Sequence, residues 1–387
     1  MRRAMARKPL ISPSLVRTSD STVVNQNERA ILDVVRREGG TTRSTITAQT
    51  HLSQQSVHRL VDRLVERNFL HIGQPVISGR GQPSPVIEIN PEAVFGIGIS
   101  INTDTVRLSI ADLNCNEVSS LNIDIDPTIR QTALPALHRA IAESLEASNI
   151  PRERVLGVGV AISGYRTGKE DVYVTPAPLE SWSNTPLVEL FETTFNMPVW
   201  VENNASAGAI GESLKGAGQD HSRFAYLSFN DGFGCGLIYD GKPFFGGFNN
   251  PGEMGRLYTQ EQIRHRPALG ELLLRLADAG IHIATIDQLY REFDPTWPGV
   301  TAWIAEVKPQ LNLAIRALRA TMDPTAIVFG GEAPAALKEL LIAACDEVDL
   351  DRYGREIGLP TYIASALPGD PSTIGAALLP LKDCVLM

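Results

Sequence analysis

The chain has 387 residues, 43% hydrophobic and 20% charged, which at about 150 residues per domain allows two or three globular units. That composition excludes a disordered or collagen-like polymer. The net charge of −9 is uneven: residues 1–90 hold 13 Lys and Arg against 7 Asp and Glu, a surplus of +6, and the rest carries −15.

A basic head on an acidic body implies that the head meets a polyanion while the body does something else. No apolar run reaches the roughly 20 residues of a membrane helix, and the basic N-terminus lacks the apolar stretch of a secretory signal. Cys115, Cys235, Cys345 and Cys384 lie far apart with no C-x-x-C, as expected of thiols in a reducing compartment. The expectation is a cytoplasmic protein with no membrane partner.

Residues 1–24 mix Ser, Thr, Pro and Arg without periodicity and read as a flexible N-terminal tail. Asn25 or Asn27 can cap a helix whose stripe is Ile31, Leu32, Val34 and Val35, ended by Gly39-Gly40. A short helix over about 42–50 turns Ile46 inward. Ser53 then caps a third, with Val57, Leu60, Val61, Leu64 and Val65 on one face. Its other face carries Gln54, Gln55, Ser56, His58, Arg59 and Arg63, side chains able to reach base edges or phosphates from a major groove. Extended pieces follow at 69–77 and 85–89, joined by a Gly-Arg-Gly tip at Gly79, Arg80 and Gly81. Residues 25–90 thus predict a winged helix-turn-helix that binds double-stranded DNA through those side chains, Arg43 and Arg80.

After Asn90-Pro91 the pattern changes. Two β-rich runs, 94–101 and 105–113, flank Asn102-Thr103-Asp104, a hairpin signal. A strand near 119–125, a helix near 131–148 and a buried strand at 155–162 come next. The hairpin pattern returns at 224–229 and 235–239 around Asn230-Asp231-Gly232, a weak internal repeat. The last third is mostly helix around a strand at 326–329. This predicts an α/β body of two lobes with mixed sheets and a ligand cleft between them.

Several motifs carry a family resemblance. Val201 to Glu212, VENNASAGAIGE, parallels an E-N-D-A-N-A-A-A-x-G-E motif. Gly232 to Gly236, running on to Gly252-Glu253-Met254-Gly255-Arg256, parallels a phosphate-loop hairpin that ends in G-E-I-G-H. Trp182-Ser183-Asn184 matches a Trp-x-Asn near a sugar site, and Gly330-Gly331 a nucleotide-side glycine pair. With these the body resembles the ROK family (repressors, open reading frames and sugar kinases). Head plus body resembles its transcriptional-regulator branch, which includes repressors of xylose and N-acetylglucosamine genes.

The resemblance implies a two-lobed actin-like (ribonuclease H-like ATPase) ROK fold after the winged helix. Residues 91–205 with 366–387 would form lobe 1, and 206–365 lobe 2 with the dimerisation helices. It also exposes departures. The family's kinases deprotonate the sugar with the Asp of E-N-D, where this chain has Asn204, and an amide is no general base. Their D-x-G-G-T loop corresponds to Gly98-Ile99-Ser100-Ile101-Asn102, lacking both carboxylate and glycine pair, and their G-T-G to Asn230-Asp231-Gly232. Zinc-binding members use the His of G-E-I-G-H, here Arg256, and a cysteine cluster that is missing.

Neither catalytic residues, cofactor nor metal is therefore expected. What remains implied is sugar binding by Trp182, Asn203, Asn204, Glu253 and Arg256. Each also admits a structural role: Asn203 and Asn204 as a helix cap, Glu253 as a bond between lobes, Trp182 as core, Arg256 as a carboxylate's partner. The reading is a DNA-binding regulator, a repressor acting as a homodimer or dimer of dimers, controlled by a carbohydrate effector. The alternative is a bifunctional, active ATP-dependent sugar kinase.

Overall fold

The computed structural model describes residues 15, 22–76, 84–168, 171–346 and 350–387. Helices α1 (Gln26–Arg37), α2 (Arg43–Thr50) and α3 (Gln54–Glu66) precede the antiparallel pair β1 (Leu70–Val76) and β2 (Ser84–Ile89). Asn25 is the cap of α1: its side chain accepts the Glu28 N–H while the Glu28 carboxylate accepts the Asn25 N–H, both at 2.9 Å. Ile31, Leu32 and Val35 join Ile46 of α2 and Val57, Leu60, Val61 and Leu64 of α3 in one core.

Val23 and Val24 belong to that core, so the end of the expected tail is packed rather than mobile. The Arg67 guanidinium holds it, donating to the Val23 carbonyl at 2.6 Å and the Leu15 carbonyl at 3.1 Å. The rest of the expected tail, and the wing tip with Arg80, lie outside the described residues.

The body follows as β3 (Phe95–Ile101), β4 (Val106–Ala111), β5 (Glu117–Ile123), α4 (Arg130–Ala147), β6 (Val155–Ile162), the short pair β7 (Tyr165–Arg166) and β8 (Tyr173–Val174), α5 (Leu187–Phe195), β9 (Val199–Asn203) and α6 (Asn204–Lys215). Then come β10 (Phe224–Phe229), β11 (Phe233–Tyr239), β12 (Lys242–Pro243), α7 (Leu269–Asp278), α8 (Ile286–Glu292), α9 (Val300–Met322), β13 (Ala326–Gly331), α10 (Ala335–Ala343), β14 (Thr361–Ala364) and α11 (Pro371–Cys384).

One sheet has the order β5-β4-β3-β6-β9 and the other β12-β11-β10-β13-β14. In each, an antiparallel meander leads into two parallel strands. The repeat legible in two hairpins thus extends to whole sheets. The edge strand β14 has no counterpart in the sequence reading, because four half-exposed residues make no pattern.

Two helices tie the lobes together. α6 leaves β9 of the first sheet and packs on β10 and β11 of the second, whereas α11 follows β14 of the second and packs on β3 and β6 of the first. Glycines permit this. A Cβ at Gly98 would overlap the backbone of Thr373 and Ala377, one at Gly159 that of Ala376, and one at Gly375 the Ala207 carbonyl of α6.

Candidate nucleic-acid interface and cleft

On the head, Ser53 accepts the Ser56 N–H at 3.2 Å and fixes the start of α3. Gln54, Gln55, His58 and Arg59 stand exposed from one face of its first two turns. Other members of the expected set serve the head itself. Ser56 is half-buried in the cap, the Arg43 guanidinium donates to Asp62 at 2.6 Å, and Arg63 reaches inward to within 3.9 Å of the fully buried Glu28. The structure therefore offers solvent a narrower polar face than the sequence suggests.

Between the lobes lies a cavity of about 330 Å³ whose lining includes Ser163, Tyr165, Asn203, Asn204, Asp231, Glu253 and Arg266. Asn203 is the N-cap of α6: its Oδ1 accepts the Ala205 N–H at 2.8 Å, and its Nδ2 donates to the Gly164 carbonyl at 2.6 Å. The Asn204 Nδ2 donates to Asn102 Oδ1 at 2.6 Å and to Ser163 Oγ at 3.1 Å. Its Oδ1 is buried with no partner among the described residues. Gly252, at φ +84 and too close to the Cys235 carbonyl for any Cβ, presses the next residue's loop onto β11. Burial raises the Glu253 carboxyl above the usual carboxylate range, against the opposing pull of Arg256.

Two expected ligand residues lie elsewhere. Trp182 is fully buried, donates Nε1–H to the Pro127 carbonyl at 2.7 Å and stacks on Phe191 at 5.7 Å. It is core, and presents no platform. Arg256 sits outside the cavity, its guanidinium 5.4 Å over the Tyr165 ring, and borders a small recess with Phe248 and Asn250. The aromatic surface of the cleft comes instead from Phe233 and from Tyr165, 38% exposed, which the sequence reading missed along with Arg266. The available signal was Ser163-Gly164 after a buried strand, where Gly164 at φ +137 turns the chain.

The turns that would hold nucleotide phosphates are occupied by protein. The Asp104 carboxylate, in the β3–β4 turn, accepts the N–H groups of Ile286 at 2.6 Å and Asp287 at 3.4 Å, at the start of α8 in the other lobe. Beside it Arg107 donates to Asp287 at 3.0 Å. Burial lowers the pKa of Arg107, yet Glu332, Asp370 and Asp287 together hold it above its usual value. Carboxylates crowd the same region: burial and then Asp104 raise Asp231, while burial, Asp370 and Asp104 push Glu332 well above the carboxylate range. Asn230 turns its Oδ1 to the Glu332 N–H at 3.2 Å. Among the described residues no group of three or more His, Cys, Asp or Glu side chains is placed to hold a metal ion.

The ROK family model matches residues 96–382, well over half of the chain. The chain belongs to the ROK family. A MarR family model matches residues 24–75, the head that precedes the ROK body. A relative over nearly the full length is the uncharacterized protein y4fQ of Sinorhizobium fredii, 24% identical over 92% of this chain and 90% of that one. A xylose repressor of Bacillus spizizenii is 25% identical over 62% of each chain. The solved structure of a ROK family transcriptional regulator, a homologue of the E. coli MLC protein, superposes with a TM-score of 0.67 at 15% identity, covering 93% of this chain and 96% of that one. The fold is thus a winged-helix head followed by the ROK body, and no helix among the described residues is long and apolar enough to cross a membrane.

Proposed function

We propose that this ROK protein is a transcriptional repressor that responds to a sugar or sugar derivative and transfers no phosphate. The observation that carries the reading is one chain joining a winged head, with Gln54, Gln55, His58 and Arg59 exposed on α3, to a sugar-kinase body whose reactive position is Asn204. Likeness to a xylose repressor over 62% of the chain supports it. Gly98, where the family's kinases carry a carboxylate, has no room for a side chain, and burial and the carboxylates crowding the phosphate-loop turns hold Asp231 and Glu332 above their ordinary values despite Arg266 and Arg107 nearby. Phosphoryl transfer depends on positioning and charge neutralisation, and neither is served here.

The cleft suits a polyhydroxylated ligand. The Glu253 carboxylate accepts hydroxyl donors, and the Tyr165 ring offers an apolar face. Two copies presenting two heads would read a pseudo-palindromic operator. A ligand that prefers one lobe arrangement would shift DNA affinity by the usual coupling of about 1–3 kcal/mol, roughly 5- to 150-fold.

The test is selection of operator duplexes from a random pool by the full chain, then anisotropy titration with and without a panel of sugars, beside a coupled ADP-release assay. Salt-sensitive binding that one sugar shifts, with no ADP release, supports the reading. Sugar-dependent ADP release at ordinary kinase rates overturns it.

A further inference from the structure

The head does not simply hang from the body. Arg29 and Arg36 lie seven residues apart on α1, two turns and therefore about 10.5 Å along one face. Arg29 Nη1 donates to the carbonyls of Lys382 at 3.4 Å and Leu386 at 3.3 Å, and its Nη2 to the Asp383 carbonyl. Lys382 and Asp383 lie in the last turn of α11, and Leu386 follows just past its C-cap Val385. Arg36 Nη1 donates to the Leu214 carbonyl at 3.1 Å, in the last turn of α6. Carbonyls at a helix C-terminus are unsatisfied and carry the negative end of the dipole, so a guanidinium fits there by both hydrogen bonding and charge. The spacing of the two arginines matches the about 8–10 Å between the axes of packed helices.

The start of α6 lies at the cleft, and the start of α11 lies behind it, one side chain removed. Asn203 caps α6 from the cavity wall. Asp370 caps α11, accepting from the Ser372 N–H at 3.0 Å and from Asn102 Nδ2 at 2.9 Å. Asn102 in turn accepts from Asn204 at 2.6 Å, so one buried chain of side chains, Asn204–Asn102–Asp370, joins both helix starts. A second link runs from Ser100 to Thr373 at 2.7 Å. Between the ends, Gly211 and Gly375 let the two backbones nearly touch. Packed elements of this kind move as units rather than bending.

We propose that α6 and α11 are a paired rod through which the cleft sets the position of the DNA-binding head, with Arg29 and Arg36 as the two contacts that receive the movement. This rests on the regulator reading above. A ligand at Asn204 reorients Asn102 and with it the caps of both helices; their far ends carry α1, and α1 carries α3.

The experiment uses the full chain and needs no identified effector. Asn102→Ala, and the milder Asn102→Ser, break the cleft-side link. Arg29→Met with Arg36→Met removes the receiving contacts while keeping their aliphatic stems. Amide hydrogen exchange is followed in α1 with and without the cleft substitution, in the wild-type and the double-Met background. The expected result is at least a fivefold change in α1 exchange on Asn102→Ser in the wild-type background, and less than twofold in the double-Met background. Unchanged α1 exchange in the wild-type background, or equal change in both, overturns the proposal. In parallel, affinity for the selected duplex shifts by about fivefold or more on Asn102→Ser only when both arginines are present. Duplex binding that never appears, alongside the expected exchange pattern, sinks the DNA-binding reading and leaves the rod in place.

Discussion

Gly98 lies in β3 with its Cβ position filled by the backbone of Thr373 and Ala377, so Gly98→Ala and Gly98→Asp separate two costs. The strand is extended and buried, and backbone strain contributes nothing to either change. An added methyl must displace α11, which also packs on α6; overpacking of this kind costs about 1–3 kcal/mol. The aspartate adds a carboxylate buried against the backbone of Thr373 and Ala377, worth several kcal/mol more. With about 2–4 °C per kcal/mol for a body of this size, Gly98→Ala should melt about 2–12 °C below wild type and Gly98→Asp at least about 10 °C below. The assay is thermal unfolding followed by circular dichroism at pH 7. A Gly98→Asp protein melting within about 2 °C of wild type would refute the reasoning, because a kinase-type carboxylate could then share the site with α11.

On the head, Arg59→Ala should weaken duplex binding and lower the slope of log affinity against log salt by about 1, whereas Arg63→Ala should chiefly lower head stability, since it takes a cation from the buried Glu28; gel shifts over a salt series and a melt distinguish them. Asn204→Asp should give no ATP turnover over a sugar panel, since the carboxylate that would support the metal has no room at Gly98; measurable ADP release would contradict this. If the ionised Glu253 accepts sugar hydroxyls, effector affinity should fall on acidification starting at a higher pH than an ordinary carboxylate gives, because its folded-state value is raised, and Glu253→Gln should flatten that dependence in calorimetric titrations. Burial holds the Lys382 ammonium down at about 8 against an ordinary 10.5. Above about 8 the folded protein loses this proton before the unfolded chain does, so stability should rise with pH between those values, and Lys382→Met should raise the melting temperature at pH 7 and abolish the rise.

Much of this was legible in the residues. The α1 and α3 stripes, the Ser53 cap and the paired hairpins are periodic or local signals, and the structure places each where its pattern implies. The lost kinase carboxylates were equally plain, since Gly98 and Asn204 are a matter of identity. Side-chain destination was not. Trp182 has the same neighbours in the chain whether its indole faces a sugar or Phe191. Arg43 and Arg63 resemble any exposed cation until Asp62 and Glu28 arrive beside them.

By itself, then, the sequence determined what can be computed along one chain: the elements, the repeat of two lobes, the basic head, and the identities of Gly98 and Asn204 where the family's kinases carry carboxylates. The tertiary structure alone decided which groups meet. It closed the β3–β4 turn onto α8, made Tyr165 part of the aromatic wall of the cleft, and set Arg29 and Arg36 on the carbonyl ends of two helices from distant parts of the chain. The reason is one of range. Hydrophobic periodicity and capping act over a few residues, whereas hydrogen bonds and close packing act over a few ångströms, and only folding brings residues 29 and 386 that near.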